Sequence, residues 1–135
     1  MADSCLFCRI VAGHIPSRRV YEDDHAIAFL DIQPWHRGHT LVIPRRHVDD
    51  ALADPTALEE IAPAVIAAGN LLRERLEADG MNLLANTGAT AGQEVFHLHV
   101  HLVPRYADDP GLDRLVGRGE VGDLDEVLAT ITRAD

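Results

Sequence analysis

The apolar positions of this 135-residue chain follow two rhythms, one close to period two and one of three to four. Runs of the first kind predict strands. "RRVYEDDHAIAFLDI" predicts a hairpin in which Val20 leads in, Asp23-Asp24 turns and "AIAFLDI" returns as a largely apolar strand. "TLVIP" predicts a short strand rich in β-branched residues and stopped by Pro44, and "MNLLANTG" one that ends in a turn. "EVFHLHVHLVP" is the strongest strand signal in the chain. The second rhythm governs the stretch between Asp54 and Gly80, where Leu58, Ile61, Val65, Leu72 and Leu76 recur at helical spacing. Asp54 is the expected N-cap, Pro55 fits the first helical position and Gly80 lies just past the end. Pro63 falls inside and is expected to disturb the hydrogen-bond ladder there. "CLFCRIVAG" predicts a short helix packed by Leu6, Phe7, Ile10 and Val11 and ended at Gly13, while "QPWHRGH" and "ATAGQ" read as loops. The tail from Asp108 is Gly-rich, then weakly helical at "DLDEVLATI". No repeat or linker divides the chain, so residues 1–135 are expected to form one α+β domain. Its sheet, of about five strands, is mostly antiparallel with one long helix across it.

Composition narrows the partners. The formal charge is −10 and every basic residue is arginine, which disfavours binding to nucleic acid or an anionic membrane. Arginines do gather at "SRR" and "PRRH", where an anionic substrate could meet a local positive field. No apolar run approaches the roughly 20 residues of a membrane span, and "MADSCLFCRI" lacks the charged and apolar regions of a secretory signal. Two cysteines spaced Cys-x-x-Cys are not the disulfide framework of a secreted domain, so a reducing cytoplasm is expected.

Candidate chemistry concentrates in "FHLHVHLVPR". On a strand, His97, His99 and His101 share one face while Leu98, Val100 and Leu102 share the other, so the apolar face can pack and the imidazoles can look into a cleft. Gln93 and Val95 continue the histidine side if the strand reaches them. Alternate histidines on a strand can bind one zinc. Equally, one histidine can attack while its neighbours orient it, since an imidazole of ordinary pKa is mostly neutral and nucleophilic at pH 7. Cys5 and Cys8 are open to three readings: a redox pair, buried core thiols or half of a zinc site. The thioredoxin-like setting that a redox pair favours is absent.

"HLHVHLV" matches His-φ-His-φ-His-φ-φ, the signature of the histidine triad (HIT) superfamily. "LFCRIVAGHIPSRRVYEDDHAIAFLDIQPWHRGHTLVIPRRH" resembles the N-terminal half of that family, and "NTGATAGQEVFHLHVHLVPR" its active-site half. The resemblance covers about residues 4–106, leaving 107–135 as a C-terminal extension, and is strongest to bacterial Cys-x-x-Cys members of the nucleoside phosphoramidase (Hint-like) branch. It implies the HIT-like α+β fold, dimerising so that the sheet continues through the long helix and adjacent strand. It implies that His99 attacks the α-phosphorus of a purine nucleotide conjugate such as an AMP phosphoramidate, forming a nucleotidyl-histidine that water then hydrolyses. His101 is then expected to hydrogen-bond the phosphate or leaving group, and His39 to support the triad. Asp31 matches the ribose-binding carboxylate, and Leu6, Phe7, Ile10, Phe29 and Ile32 match the apolar walls around the base. Asn86, Gln93, Glu94 and Val95 match residues near the phosphate, where the Gly-rich "TGATAGQ" lets backbone N–H groups approach.

The same resemblance completes the cysteine pair with His47 and His97 as a closed, structural zinc site. His97 would then be no free acid or base; it would hold its strand in register. His14, His25 and His36 have no assigned role and are expected to be exposed. Two departures affect the leaving group. Glu94 stands where phosphoramidases carry a phosphate-contacting serine, and the only tryptophan is Trp35, not one in the tail. Three rival readings follow: a dinucleoside polyphosphate hydrolase, a nucleotide-binding module with little turnover, and a catalytic tri-histidine zinc hydrolase.

Overall fold

A computed structural model describes residues 4–114 and 120–134; part of the tail read above as Gly-rich, 115–119, lies outside them. In chain order the elements are α1 (Leu6–Val11), β1 (Arg19–Glu22), β2 (Ala26–Leu30), β3 (Thr40–Pro44), α2 (Ala57–Leu76), β4 (Gly80–Leu84), β5 (Val100–Arg105) and α3 (Leu124–Thr132). The strands form one sheet in the order β1-β2-β3-β5-β4, every neighbouring pair antiparallel.

The sheet is covered on both sides, and this explains why β2 and β3 read as nearly continuous apolar runs. Ala26, Ala28, Leu30 and Val42 join the core beneath α2 and α3, while Ile27, Phe29, Leu41 and Ile43 pack with Phe7 and Ile10 of α1. On α2 the buried stripe is Ala57, Ile61, Ala64, Ala68, Leu72 and Leu76. Three of the six are alanines, whose short side chains let the helix lie close against the sheet. Of the apolar positions expected there, Val65 is half-buried and Leu58 is exposed.

Both expected ends of α2 are corrected. The N-cap position is Thr56, with Ala57 first in the helix. Asp54 lies two residues ahead, its carboxylate accepting from the Thr56 N–H and hydroxyl and pairing with Arg46. At the other end Glu77 takes the left-handed conformation (φ 53°), and Gly80 opens β4. The helix runs through Pro63, which faces solvent, where water can meet the carbonyl that loses its partner.

The strand expected over "EVFHLHVHLVP" is also shorter, beginning at Val100. The register pairs Val42 with Val100, so extending the ladder would set Leu98 against Pro44, which has no N–H to donate. The segment before Val100 is held differently, with the Leu98 N–H donating to the Val48 carbonyl. The alternation nonetheless survives: Leu98, Val100 and Leu102 enter the core under α2, while His97 and His99 meet Phe7 on the opposite face. The weak helical signal in the tail is real. Asp123 caps α3 by accepting from the Asp125 and Glu126 N–H groups, and Val127 and Ile131 complete the core beside α2.

Candidate active site and metal centre

Two clusters lie on the α1 face of the sheet. In the first, Cys5 is the N-cap of α1, its Sγ 3.4 Å from the Cys8 N–H, so one helical turn presents both sulfurs together. The Nδ1 of His47 lies 3.3 Å from Cys8 Sγ, and the Nδ1 of His97 lies 3.4 Å from Cys5 Sγ and 3.5 Å from Cys8 Sγ. All four ligand atoms fall within 4.8 Å of one another. The outer nitrogens are already committed. The Nε2 of His97 donates to the Pro44 carbonyl (2.9 Å), and the Nε2 of His47 to an Asp49 carboxylate oxygen (2.8 Å). Each ring therefore turns a bare Nδ1 lone pair toward the sulfurs, the tautomer a metal ligand needs. Burial and the neighbouring Cys5 push the Cys8 thiol up to about 11, so metal capture there must displace a proton. Two thiols and two imidazoles suit a tetrahedral, borderline-soft ion such as zinc, with no ligand position left for water.

The second cluster is a chain of imidazoles. The backbone N–H of Trp35 donates to His39 Nδ1 (3.0 Å), which leaves the proton of neutral His39 on Nε2. That Nε2–H donates to His101 Nδ1 (2.9 Å), so neutral His101 carries its proton on Nε2. His99 is oriented separately: its Nδ1–H donates to the His97 carbonyl (2.8 Å), leaving Nε2 with a free lone pair. Phe7 stands edge-on to the His99 ring at 5.2 Å between centroids, and the His101 ring lies 5.0 Å away. Burial lowers His39 and His101 to about 4, helped by neighbouring imidazoles, and burial also lowers His97. At neutral pH His39 and His101 are thus an uncharged pair with one committed donor, beside the open Nε2 of His99. The Asp31 carboxylate approaches His39 Nε2 at 3.7 Å without forming an ion pair, because that ring is neutral.

The triad does not converge on one point. His97 aims at the sulfurs and His101 at His39, which excludes the tri-histidine metal site as a use of these three rings. Asp31 directly follows β2, its Oδ1 accepting from the Gln33 N–H. Of the apolar residues expected around a base, Phe7, Ile10 and Phe29 are buried together, Leu6 is 40% exposed and Ile32 is 75% exposed. The Gly-rich loop is braced by Gln93, whose amide accepts from the Gly88 N–H and donates to the Asp49 and Val95 carbonyls. The Asn86 side chain lies against Gly92, close to where a Cβ would stand. Glu94 is exposed, and with Val95, Leu6, Cys5 and His47 it lines a cleft of about 420 Å³.

Two expectations fail. The arginines of "SRR" and "PRRH" are spent on carboxylates: Arg18 on Asp125, Arg19 and Arg45 on Glu22, and Arg46 on Asp54 and Glu60. They supply no local field for a phosphate. His36, expected to be exposed with His14 and His25, is 3% exposed and lies 3.7 Å from Asp109. Sequence reasoning also missed Trp35, which stacks on His101. A single aromatic in a Pro- and Gly-punctuated loop has no periodicity to reveal it.

A profile of the HIT domain matches residues 12–108. "Protein hit" of Bacillus subtilis is 45% identical over 111 residues, covering 82% of this chain and 77% of its own. The crystal structure of a Zn-bound histidine triad family protein from Mycobacterium smegmatis superposes with a TM-score of 0.80 at 39% identity, covering 98% of this chain and 93% of that one. Adenylylsulfatase HINT3 of Arabidopsis thaliana is 39% identical over 117 residues, 81% of this chain and 56% of the relative.

Proposed function

Because this chain belongs to the HIT family, a superfamily of nucleotide-binding hydrolases and transferases, we propose that it hydrolyses purine nucleotide conjugates at the α-phosphate, with AMP phosphoramidates as substrates. The observation that carries this is the His99 tautomer: a buried imidazole whose Nδ1–H is held by a main-chain carbonyl has only Nε2 with which to attack. His99 Nε2 forms a bond to phosphorus as the bond to the leaving amine breaks, and the amine takes a proton from water. The hydroxide this leaves then attacks phosphorus, the P–Nε2 bond breaks, and AMP departs with His99 regenerated. His101 presents its Nε2–H to the phosphate oxygens. It acts as a fixed donor rather than an acid, because the chain behind it ends at the Trp35 amide, which has no proton to pass on. Asp31 receives the ribose hydroxyls, and Phe7, Ile10, Phe29, Leu6 and Ile32 flank the base. Asn86, Gln93, Glu94 and Val95 shape the phosphate loop. The adenylylsulfatase relative supports an adenylyl group as the part recognised.

In the first cluster, Cys5, Cys8, His47 and His97 hold zinc. Bound there, zinc supplies a structural cross-link between α1, the segment after β3 and the start of the triad; the zinc-bound relative supports that assignment. A homodimer formed through α2 and β4 fits the outer position of β4 in the sheet and the exposed Ile66 and Leu83. No helix among the described residues is long and apolar enough to cross a membrane. With two unpaired thiols, the reading is a cytoplasmic protein built as one HIT domain, with residues 107–135 as its extension.

The experiment is intact-protein mass measurement after rapid acid-free quenching with an AMP phosphoramidate, for the native chain and His99→Ala. One AMP adduct on the native chain alone, with turnover lowered about 10³-fold or more in the variant, is the expected result. Equal AMP release by both proteins sinks the mechanism.

A further inference from the structure

We infer that Trp35 is a positioning residue for His101, its backbone and side chain together holding that ring in the one tautomer and orientation that offers Nε2–H to the substrate. The inference rests on the hydrolytic reading above. Four observations carry it. The Trp35 N–H donates to His39 Nδ1, and this one main-chain bond fixes the proton positions of both His39 and His101. The indole lies parallel to the His101 imidazole, 9° between planes and 5.0 Å between centroids, and tilted against His39 at 4.7 Å. His101 thus has an edge bound by His39 and a face covered by Trp35, leaving Nε2 as its only uncommitted polar atom. Finally, the loop holding Trp35 is itself anchored. Gly38 has φ 88° and sits where any Cβ would collide with Leu76, so "WHRGH" lies tight against the end of α2.

Stacking does what a hydrogen bond at Nδ1 cannot. A ring held at one edge can still swing about that bond, and a misplacement of about 1 Å at a donor costs about 10²-fold in rate. An aromatic face laid flat on the imidazole removes that swing and keeps water from the ring. The titratable groups around His101 are His99, His39 and Asp31; only the Asp31 carboxylate favours its protonated form, so the dry stack matters for keeping it neutral.

The test compares Trp35→Ala and Trp35→Phe with the native protein. In Trp35→Ala, kcat is expected to fall about tenfold with KM changed less than about twofold. The main-chain N–H survives this change, so the Nε2–H tautomer should hold, but the His101 ¹⁵N signals should broaden as the ring swings, and its titration midpoint should rise from about 4 toward 6.5. Trp35→Phe, which keeps an aromatic face, should recover most of both. As Trp35 is the only tryptophan, native emission should also be quenched as His101 becomes charged, and this response should vanish in His101→Gln. An unchanged His101 ¹⁵N signature in Trp35→Ala overturns the inference whatever happens to kcat or to the melting temperature, because a purely structural tryptophan moves those alone. The ¹⁵N readout needs no substrate, so full activity of His99→Ala would remove the hydrolytic reading without deciding the role of Trp35.

Discussion

The two histidine clusters use the same side chain in opposite ways. Around Cys5 and Cys8, the imidazoles of His47 and His97 give their Nε2–H outward and leave Nδ1 lone pairs converging on one point. Around His101, His39 donates its Nε2–H to the next ring, and the lone pair left over belongs to His99, which stands outside the chain. The residue type does not decide between metal ligand, donor and nucleophile. A main-chain partner does: the Pro44 carbonyl for His97, the His97 carbonyl for His99 and the Trp35 amide for His39. His97 joins the clusters, since its ring faces the sulfurs of the first and its carbonyl orients His99, the proposed nucleophile of the second.

The two clusters separate most sharply on mutation. His101→Ala is expected to lower kcat/KM by about 10²-fold or more while the melting temperature barely moves. His47→Ala, or removal of metal by a chelator, should do the reverse, lowering the melting temperature by about 10 °C with turnover per folded molecule nearly unchanged. Chelation that abolishes turnover while the protein stays folded would erase the distinction and make the metal part of the chemistry.

Acid provides the next test, and it should act through the second cluster. In the unfolded chain His39 and His101 titrate near 6.5, whereas in the fold burial holds them neutral down to about 4. Between those values the unfolded state binds more protons, so stability falls as pH drops from 6.5 toward 4; neither ring contributes further loss below that. The cost reaches about 3 kcal/mol per ring. Urea unfolding at pH 7.0, 5.5 and 4.5 should show this loss, and a His39→Asn, His101→Gln double variant should lose less of its stability over the same range. Equal slopes would mean the two rings are already accessible to protons.

How much of this was legible beforehand depended on whether a residue sat in a periodic segment. The alternation in "HLHVHLV" correctly assigns His97, His99 and Leu98 to their faces, because side-chain parity holds in any extended chain, paired or not. Parity could not show that the ladder stops at Val100, since that depends on Pro44 lying opposite in another strand. The N-terminus of α2 lies beyond the Asp54 that the sequence points to, because that carboxylate closes a turn onto Thr56 and pairs with Arg46, so the helix starts at Ala57. His36 and Trp35 lie in an irregular loop, where burial follows from tertiary contacts that leave no pattern. The Arg18 pair leaves no pattern either, since its partner Asp125 is 107 positions away, whereas Arg19–Glu22 at i,i+3 lies within reach of sequence reasoning.

The smallest expected effect separates the clusters by sign. With those arginine pairs closed, the formal charge of −10 makes the long-range field of the chain negative. Such a field repels a nucleotide and attracts a divalent cation. Added salt screens it, with a Debye length falling from roughly 30 Å at 0.01 M to about 8 Å at 0.15 M. Across that range kcat/KM for an anionic AMP conjugate should rise about twofold, while the association rate of zinc with the metal-free protein falls by a similar factor. Stopped-flow measurement of both on one preparation checks the pair. If nucleotide and zinc respond to salt in the same direction, an unscreened positive group must face the imidazole cluster, and the neutral pair built there from His39 and His101 would need a cation added to it.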